Sequence, residues 1–387
     1  MIDGARSAVM PQDVLEGLCD RLVSCGIPLW RAAVFVRTLH PHVTGRRFLW
    51  RLGQGVEMSE LLFEGLETLE FQNSPVARVY ASGAAIRQRF AIEDDVADFP
   101  VFRDLRAEGA SDYLASPLTF TDGTIHVATW ATKHPNGFSD EQIAGIEAIV
   151  APLTRVAEIR ALTRTASNLL NTYVGRNTGE RILSGQIRRG HTEVIHAAIW
   201  LSDMRGFTAL ADRLQPQTLT DLLNRYFDCQ VPAIVDRGGE VLKFIGDGLL
   251  AIFPVAENRT NTQSVCRNAL AAACDARRSI AKLGNSAGIE DVDDVRFGLA
   301  LHLGDVLYGN IGGGNRLDFT CIGPAVNLAA RLEKLTGKLG QSVLASDAFA
   351  RHCCPPFSPL GEFTLPGFNL VQMVYGLTEA TRSTATP

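Results

Sequence analysis

Apolar positions recur every three or four residues between positions 11 and 26. Val14, Leu15, Leu18, Leu22 and Val23 share one face and Gly26 closes the run, which predicts an amphipathic helix. The period then shortens to two. Arg31 to Leu39 and Arg46 to Leu52 alternate basic or polar side chains with Val, Phe, Leu or Trp, as strands do. Short helices are expected at Pro75 to Ser82 and Phe99 to Glu108. A hairpin built from Tyr113 to Thr121 and Ile125 to Lys133 turns on Asp122-Gly123. Ser139 to Leu162 reads as a long helix, capped by Ser139 with Glu141 and Gln142 in its first turn. A helix, antiparallel strands with short interposed helices, and a closing helix make residues 1–160 an α+β domain of sensor type.

From Arg155 to Arg189 the positions Val156, Ile159, Leu162, Leu169, Leu170, Tyr173 and Val174 keep a helical spacing, so residues 161–190 are expected to be a helical linker. In residues 191–387 the pattern again mixes the two periods. The apolar run His196 to Leu201 is a buried strand that delivers Asp203 to its tip. Phe207 to Leu214 and Leu219 to Val235 are helical, the second with a kink at Pro232. Strands 240–245 and 249–253 join through Gly246-Asp247-Gly248, and Asn261 to Leu283 is an Ala-rich helix. Val295 to Leu303 and Asp305 to Ile311 read as a strand pair, followed by a strand at Phe319 to Ile322 and a helix at Pro324 to Lys338. Residues 342–346 and 358–376 supply edge strands. This order matches a ferredoxin-like core with extensions.

Composition narrows the function. With 387 residues, 46% hydrophobic and 20% charged, the chain has length for two or three domains with real cores. A net charge of −5 and the lack of a Lys/Arg stripe argue against nucleic acid as a partner. No apolar run approaches the ~20 residues that cross a bilayer, and the start of the chain lacks a signal-peptide pattern, so no membrane is expected and the location is expected to be cytoplasmic. The eight cysteines are scattered, which predicts reduced thiols. His352-Cys353-Cys354 lacks a second half and is not taken for a metal site.

The chemistry concentrates at Asp203 and Asp247, two acids at strand ends that suit hard oxygen ligation of Mg²⁺ or Mn²⁺. The segments around them, Ser202-Asp-Met-Arg-Gly-Phe-Thr208 and Lys243-Phe-Ile-Gly-Asp247, resemble the two metal segments of class III nucleotidyl cyclases. Asp318-Phe-Thr-Cys-Ile-Gly-Pro-Ala-Val-Asn-Leu-Ala-Ala-Arg-Leu-Glu333 is similar to that family's signature ending in Asn-x-x-x-Arg. The resemblance spans roughly residues 190 to 377, with the pieces in the expected order, and implies a palm-type ferredoxin-like catalytic domain. Residues 1–160 resemble a GAF domain in architecture. Such a domain either senses a small molecule or only dimerises the chain and holds the catalytic part in register.

The resemblance implies cyclisation of a nucleoside triphosphate with release of pyrophosphate, by two metal ions held by Asp203, Asp247 and the main chain of Met204. It further implies triphosphate contacts from the amides of Phe207 and Thr208, a ribose contact from Asn327, and a transition-state contact from Arg331. By itself an Asn/Arg pair four apart on a helix is a solvated surface. Base choice follows from hydrogen-bond chemistry. Lys243 can only donate and suits adenine N1, and Thr320 can accept from the N6 amine, where the guanylyl enzymes want Glu and a small residue such as Cys. Cys321 is the neighbour, but the spacing to Gly323 and Asn327 puts Thr320 in the base position. The expected activity is therefore adenylate cyclase, ATP to 3′,5′-cyclic AMP. The alternatives are a guanylate or dual-specificity cyclase, or a catalytically silent nucleotide-binding module. One such domain per chain implies a head-to-tail homodimer with two sites. One departure from the family pattern stands out. Leu365-Pro-Gly-Phe368 lacks the basic triphosphate contact common there, with Lys338 as a substitute to consider.

Overall fold

The computed structural model describes residues 10–39, 43–66, 68–90, 99–286, 295–314, 316–353 and 356–378. It falls into two compact units that divide between Leu169 and Leu170. No helix among the described residues is long and apolar enough to cross a membrane.

The first unit runs α1 (Pro11–Ser24), β1 (Arg31–Arg37), β2 (Val43–Arg51), β3 (Gly55–Leu62), α2 (Phe63–Leu66), α3 (Leu69–Gln72), α4 (Pro75–Ser82), β4 (Ile86–Arg89), α5 (Pro100–Ala107), β5 (Asp112–Thr119), β6 (Ile125–Thr132) and into α6 (Asp140–Val174). Its antiparallel sheet has the order β3-β2-β1-β6-β5-β4. The apolar stripe of α1, with Ile146 and Leu153 of α6, closes one face over Trp50 and Trp130. Val76 and Val79 of α4 and Phe102 and Leu105 of α5 close the other. The caps follow from the sequence. Ser74 accepts from the amide of Ala77 ahead of Pro75, and Gly83 ends α4 at φ +68°. At α6, Ser139 and Gln142 exchange side-chain and main-chain hydrogen bonds of 3.0 and 3.2 Å, a capping box. Strands β3 and β4 and the short α2 and α3 were not expected. Gly55 to Leu62 carries too mixed a pattern to read alone, and becomes a strand by pairing with all of β2.

The expected linker is not one helix. α6 carries on for 35 residues to Val174, through Pro152, and Gly175 at φ +86° breaks it before α7 (Arg176–Leu183). Residues 184–191 are irregular.

The second unit continues with β7 (Thr192–Met204), α8 (Phe207–Arg213), α9 (Pro216–Asp228), α10 (Val231–Val235), β8 (Glu240–Ile245), β9 (Gly248–Pro254), α11 (Thr262–Ser286), β10 (Phe297–Gly313), β11 (Arg316–Ile322), α12 (Pro324–Leu339), β12 (Val343–Ser346), α13 (Asp347–Ala350), β13 (Phe357–Phe363) and β14 (Gln372–Leu377). Its sheet order is β13-β14-β12-β10-β7-β9-β8, with β11 paired to the far half of β10. The central β10-β7-β9-β8 block with its crossover helices is the ferredoxin-like arrangement. Helices α9 to α11 bury one face around Trp200 and Phe253, while α12 covers the other.

Two expectations are corrected here. The helix read from 219 to 235 is two helices. The first starts at Pro216, and the chain breaks at Cys229-Gln230, so Pro232 sits in the first turn of α10 rather than at a kink. The strand pair read at 295–311 is the single 17-residue strand β10, with Gly304 opposite Ala197 rather than in a turn. Gly304 serves packing, because a Cβ there would stand 2.8 Å from the Cβ of Ala325 on α12.

Candidate active site

The end of β7 is anchored before its chemistry begins. Trp200 Nε1 donates to Ser202 Oγ at 3.2 Å, and Ser202 Oγ donates to Gln230 Oε1 at 2.6 Å, all three side chains being buried. The next residue, Asp203, emerges half-buried at the strand tip. Opposite it the β8-β9 hairpin reverses through Gly246-Asp247, with Gly246 at φ +63°. Gly248 follows, and a Cβ there would lie 3.0 Å from the carbonyl oxygen of Ser202 and 3.3 Å from Asp203 Oδ1. A bare backbone at 248 thus lets the hairpin close on the tip of β7, which brings the Asp247 carboxyl near enough to act on that of Asp203. Burial, Asp247 and Glu333 together push Asp203 up to about 7, with Arg205 pulling the other way. Among the described residues no group of three or more His, Cys, Asp or Glu side chains comes together as a metal cage. A cation here would rest on two carboxylates and main-chain oxygen.

Arg205 and Glu333 belong to this site, though their chemistry was not read from the motifs that contain them. The Arg205 guanidinium crosses to α12, where it donates to the Glu333 carbonyl at 3.2 Å and lies 3.3 Å from Glu333 Oε1. That second contact is an ion pair without hydrogen-bond alignment, since the buried Oε1 makes no hydrogen bond among the described residues. Burial raises the Glu333 carboxyl and Arg205 counters it. A signal was available, because Glu333 falls on the stripe of α12 that buries Ala325, Leu328, Ala329, Leu332 and Thr336.

A second cluster forms where β8 approaches β11. Lys243 Nζ donates to Asp318 Oδ2 at 2.8 Å. Strand alternation puts Thr320 on the same face as Asp318 and sends Phe319 and Cys321 into the core. The Thr320 hydroxyl is buried and makes no hydrogen bond among the described residues. Asp318 was quoted within the motif but given no role.

Asn327 is exposed on α12, one turn before Arg331. Arg331 Nε donates at 3.1 Å to the carbonyl of Pro366, so the segment that lacks a basic residue instead orients this arginine. Lys338 is exposed in the last turn of the same helix. Phe207 packs against the core at the start of α8, Thr208 is exposed, and Met204 is buried. Among the described residues no hydrogen bond or ion pair joins the Asp203–Asp247 pair to Lys243, Thr320, Asn327 or Arg331.

Behind this face, buried Glu240 on β8 accepts from Thr178 at 3.0 Å, from Asn177 at 3.3 Å and from Tyr308 at 2.8 Å. The network ties α7 to the strand that carries Lys243.

Residues 191–365 match the family model described as the adenylate and guanylate cyclase catalytic domain. The adenylate cyclase of Anabaena cylindrica is 30% identical over 174 residues, which are 44% of this chain and 33% of that protein. Adenylate cyclase 1 of Rhizobium meliloti (strain 1021) is 28% identical over 189 residues, 48% of this chain and 28% of that one. The chain thus spans about a third or less of these relatives' length. Among solved structures, a bacterial light-regulated adenylyl cyclase aligns at 20% identity with a TM-score of 0.50, covering 68% of this chain and 84% of that one, a likeness of fold.

Proposed function

We propose that residues 191–377 are the catalytic part of an adenylate cyclase, converting ATP to 3′,5′-cyclic AMP and pyrophosphate at sites shared by two copies of the chain. The observation that carries this reading is the meeting of Asp203 and Asp247 at the tips of β7 and the β8-β9 hairpin. Two half-buried carboxylates in contact repel once ionised, so they suit divalent cations, here a pair of Mg²⁺ or Mn²⁺ ions with the Met204 carbonyl as a further ligand. When bound, such ions supply Lewis acidity toward the ribose 3′-hydroxyl and neutralise the triphosphate.

The remaining work falls to the chain's own side chains. Lys243, aimed by Asp318, donates to adenine N1, and the unpartnered Thr320 hydroxyl accepts from the N6 amine. Leaving that hydroxyl unsatisfied is the cost of a wrong base. Asn327 orients the ribose. Arg331, held by the Pro366 carbonyl, presents its planar fork to the charge that grows on the α-phosphate as pyrophosphate departs. The amides of Phe207 and Thr208 contact the triphosphate, with Lys338 as the supplementary cation.

In the head-to-tail pairing that the resemblance implies for one such domain per chain, each site takes acids from one copy and α12 from the other. An exposed seam on α6 supports pairing. Ile159, Leu162, Leu169 and Tyr173 recur at three, seven and four residues and are 64%, 60%, 39% and 80% exposed, an a/d pattern with no cover in one chain. The first unit is read as a GAF-like sensor, on the ground of its six-stranded sheet clasped by a first and a last helix. ATP as substrate places the reaction in the cytoplasm.

The test is an assay of purified chain with ATP and GTP, with Mg²⁺ or Mn²⁺ supplied, beside Asp203→Ala and Arg331→Ala. Cyclic AMP from the wild type alone supports the proposal. An inert wild type, equal use of GTP, or a fully active monomer in sedimentation overturns it in turn for activity, base choice or assembly.

A further inference from the structure

Thr320 and Asp318 stand on a ribbon that runs out past the main sheet of the second unit. The β7 ladder stops at Thr192, opposite Gly309, while β10 runs on from Asn310 to Gly313 with β11 as its strand partner among the described residues. Gly309 faces Thr320 and Ile311 faces Asp318, one register step to either side of Asn310. A two-stranded ribbon is marginal in water by itself. Contacts from outside the ladder must therefore fix where these two side chains stand.

Residues 176–191, which lead into β7, supply them twice. Asn310 is buried, and its Nδ2 donates to the Gln186 carbonyl at 2.8 Å. Its main chain donates to the His191 carbonyl at 3.1 Å and accepts from the Gly190 amide at 3.0 Å, so the irregular segment 186–191 lies against the ribbon where a further strand would. Gly309 permits the approach, since a Cβ there would stand 2.8 Å from the Cα of Thr192. On the other side of Gly309, Tyr308 donates to Glu240 at 2.8 Å beside Thr178 and Asn177 of α7, and the Arg181 guanidinium lies 5.0 Å over the Tyr308 ring. Tyr308 in turn packs edge-on against Phe319 of β11, with ring centroids 4.8 Å apart. The same buried Glu240 precedes Lys243 by three residues on β8. One segment thus grips β8 just before Lys243 and β10 on both sides of the residue that faces Thr320.

We propose that Asn310 and Glu240 are positioning residues for the base: through them residues 176–191 fix the distance and direction of Thr320 and Lys243, without touching the nucleotide themselves. The base is that of the cyclase reading, on which this role rests, whereas the hold on β11 does not depend on it. Contacts to the base are the same before and during the reaction, so loosening them weakens binding and discrimination and leaves the chemical step nearly intact.

The experiment pairs steady-state kinetics on ATP and GTP with amide exchange of the full chain, for the wild type, Asn310→Ala, Glu240→Gln and Ser346→Ala. Ser346→Ala is the control, since it removes a buried hydroxyl bonded to His302 on β12, which pairs with β10 at Leu299 to Leu301, away from residues 176–191. Asn310→Ala is expected to raise KM for ATP about fivefold with kcat within about twofold, and to lower the ATP-to-GTP ratio of kcat/KM by about fivefold. It should also speed exchange across residues 316–322. Glu240→Gln, which keeps an acceptor oxygen, should make the same changes in smaller measure. Ser346→Ala should melt lower and move neither the ratio nor that exchange. An unchanged ratio, a loss confined to kcat, or exchange at 316–322 that stays as in the wild type overturns the positioning role. A Ser346→Ala chain that shifts the ratio as far also overturns it, by making the effect one of stability alone. A wild type that forms no cyclic nucleotide defeats the cyclase reading, and exchange at 316–322 then decides the hold on β11 by itself.

Discussion

Replacing Arg205 by Ala removes one partner of a buried pair and leaves the other behind. The Glu333 side chain is 8% exposed and Arg205 29%, and the guanidinium is enclosed by glycines, because a Cβ on Gly298 would collide with it and one on Gly337 would stand 2.9 Å from Nη1. Stripping one member from such a pair costs about 3–5 kcal/mol, and the partial exposure of Arg205 argues for the lower end, about 3 kcal/mol. For a unit of this size each kcal/mol moves the unfolding midpoint by about 2–4 °C, so the transition of the second unit should fall by roughly 6–12 °C. Neutralising both partners, as Arg205→Met with Glu333→Gln, removes the stranded charge and should recover most of that loss. Differential scanning calorimetry of the full chain reads all three forms. A shift of Arg205→Ala below about 2 °C, or a double variant no more stable than the single, would refute the reasoning. The double variant should still turn over poorly at a temperature where it is folded, since Asp203 has lost the cation that moderates it.

Three other outcomes are expected. Lys243→Glu with Thr320→Cys exchanges donor for acceptor at the base, and should move the ATP-to-GTP preference by at least about tenfold toward GTP in paired assays. Glu240→Ala leaves Thr178, Asn177 and Tyr308 without their acceptor, which should cost about 1–3 kcal/mol and raise amide exchange across residues 176–183, read by mass spectrometry. Burial holds His302 at about 4, below its ordinary 6.5, so its folded state resists protonation. The unfolded chain binds the extra proton, and stability present above pH 6.5 should drain by about 3 kcal/mol as pH falls to 4, a slope that His302→Gln should flatten in thermal melts.

Local chemistry was legible where one residue type answers one need. Gly246-Asp247 marks a reversal by itself, Ser139 with Gln142 marks a helix start, and the run to Leu201 marks a buried strand with an acid at its end. What stayed hidden depended on partners distant in sequence. Gly304 reads as a turn until α12 is seen to need its missing side chain. β3 has no clear period and exists because β2 offers an edge to it. The expected linker hides a break, since the apolar spacing of Leu169 to Val174 runs up to Gly175 without showing that the backbone turns there. In the proposed site, Asp203 and Asp247 are expected from their places at strand ends, and Arg331 from the resemblance alone. The pairings around them, Arg205 with Glu333, Asp318 with Lys243 and the Pro366 carbonyl with Arg331, become visible only through distances of 2.8 to 3.3 Å.

Those partners also change what the separate groups mean. In the proposed homodimer each chain lends Asp203 and Asp247 to one site and Asn327 and Arg331 to the other. Arg205 leaves β7 two residues after Asp203 and ends on Glu333, two residues after Arg331. The brace therefore spans, within one subunit, the parts that serve two different sites. A shift of α12 that closes Arg331 on one triphosphate pulls on the strand tip that holds the acids of the other, so the two sites should not act independently. Coupling of this kind needs no contact across the interface beyond the sites themselves, because Gly298 and Gly337 confine the guanidinium to one path. A heterodimer of one wild-type chain and one Asp203→Ala chain separates the cases, because one site keeps all its groups while the other loses an acid. Independent sites would give half the wild-type turnover, whereas a working brace gives less than half, since the α12 that serves the dead site belongs to the chain whose acids serve the live one.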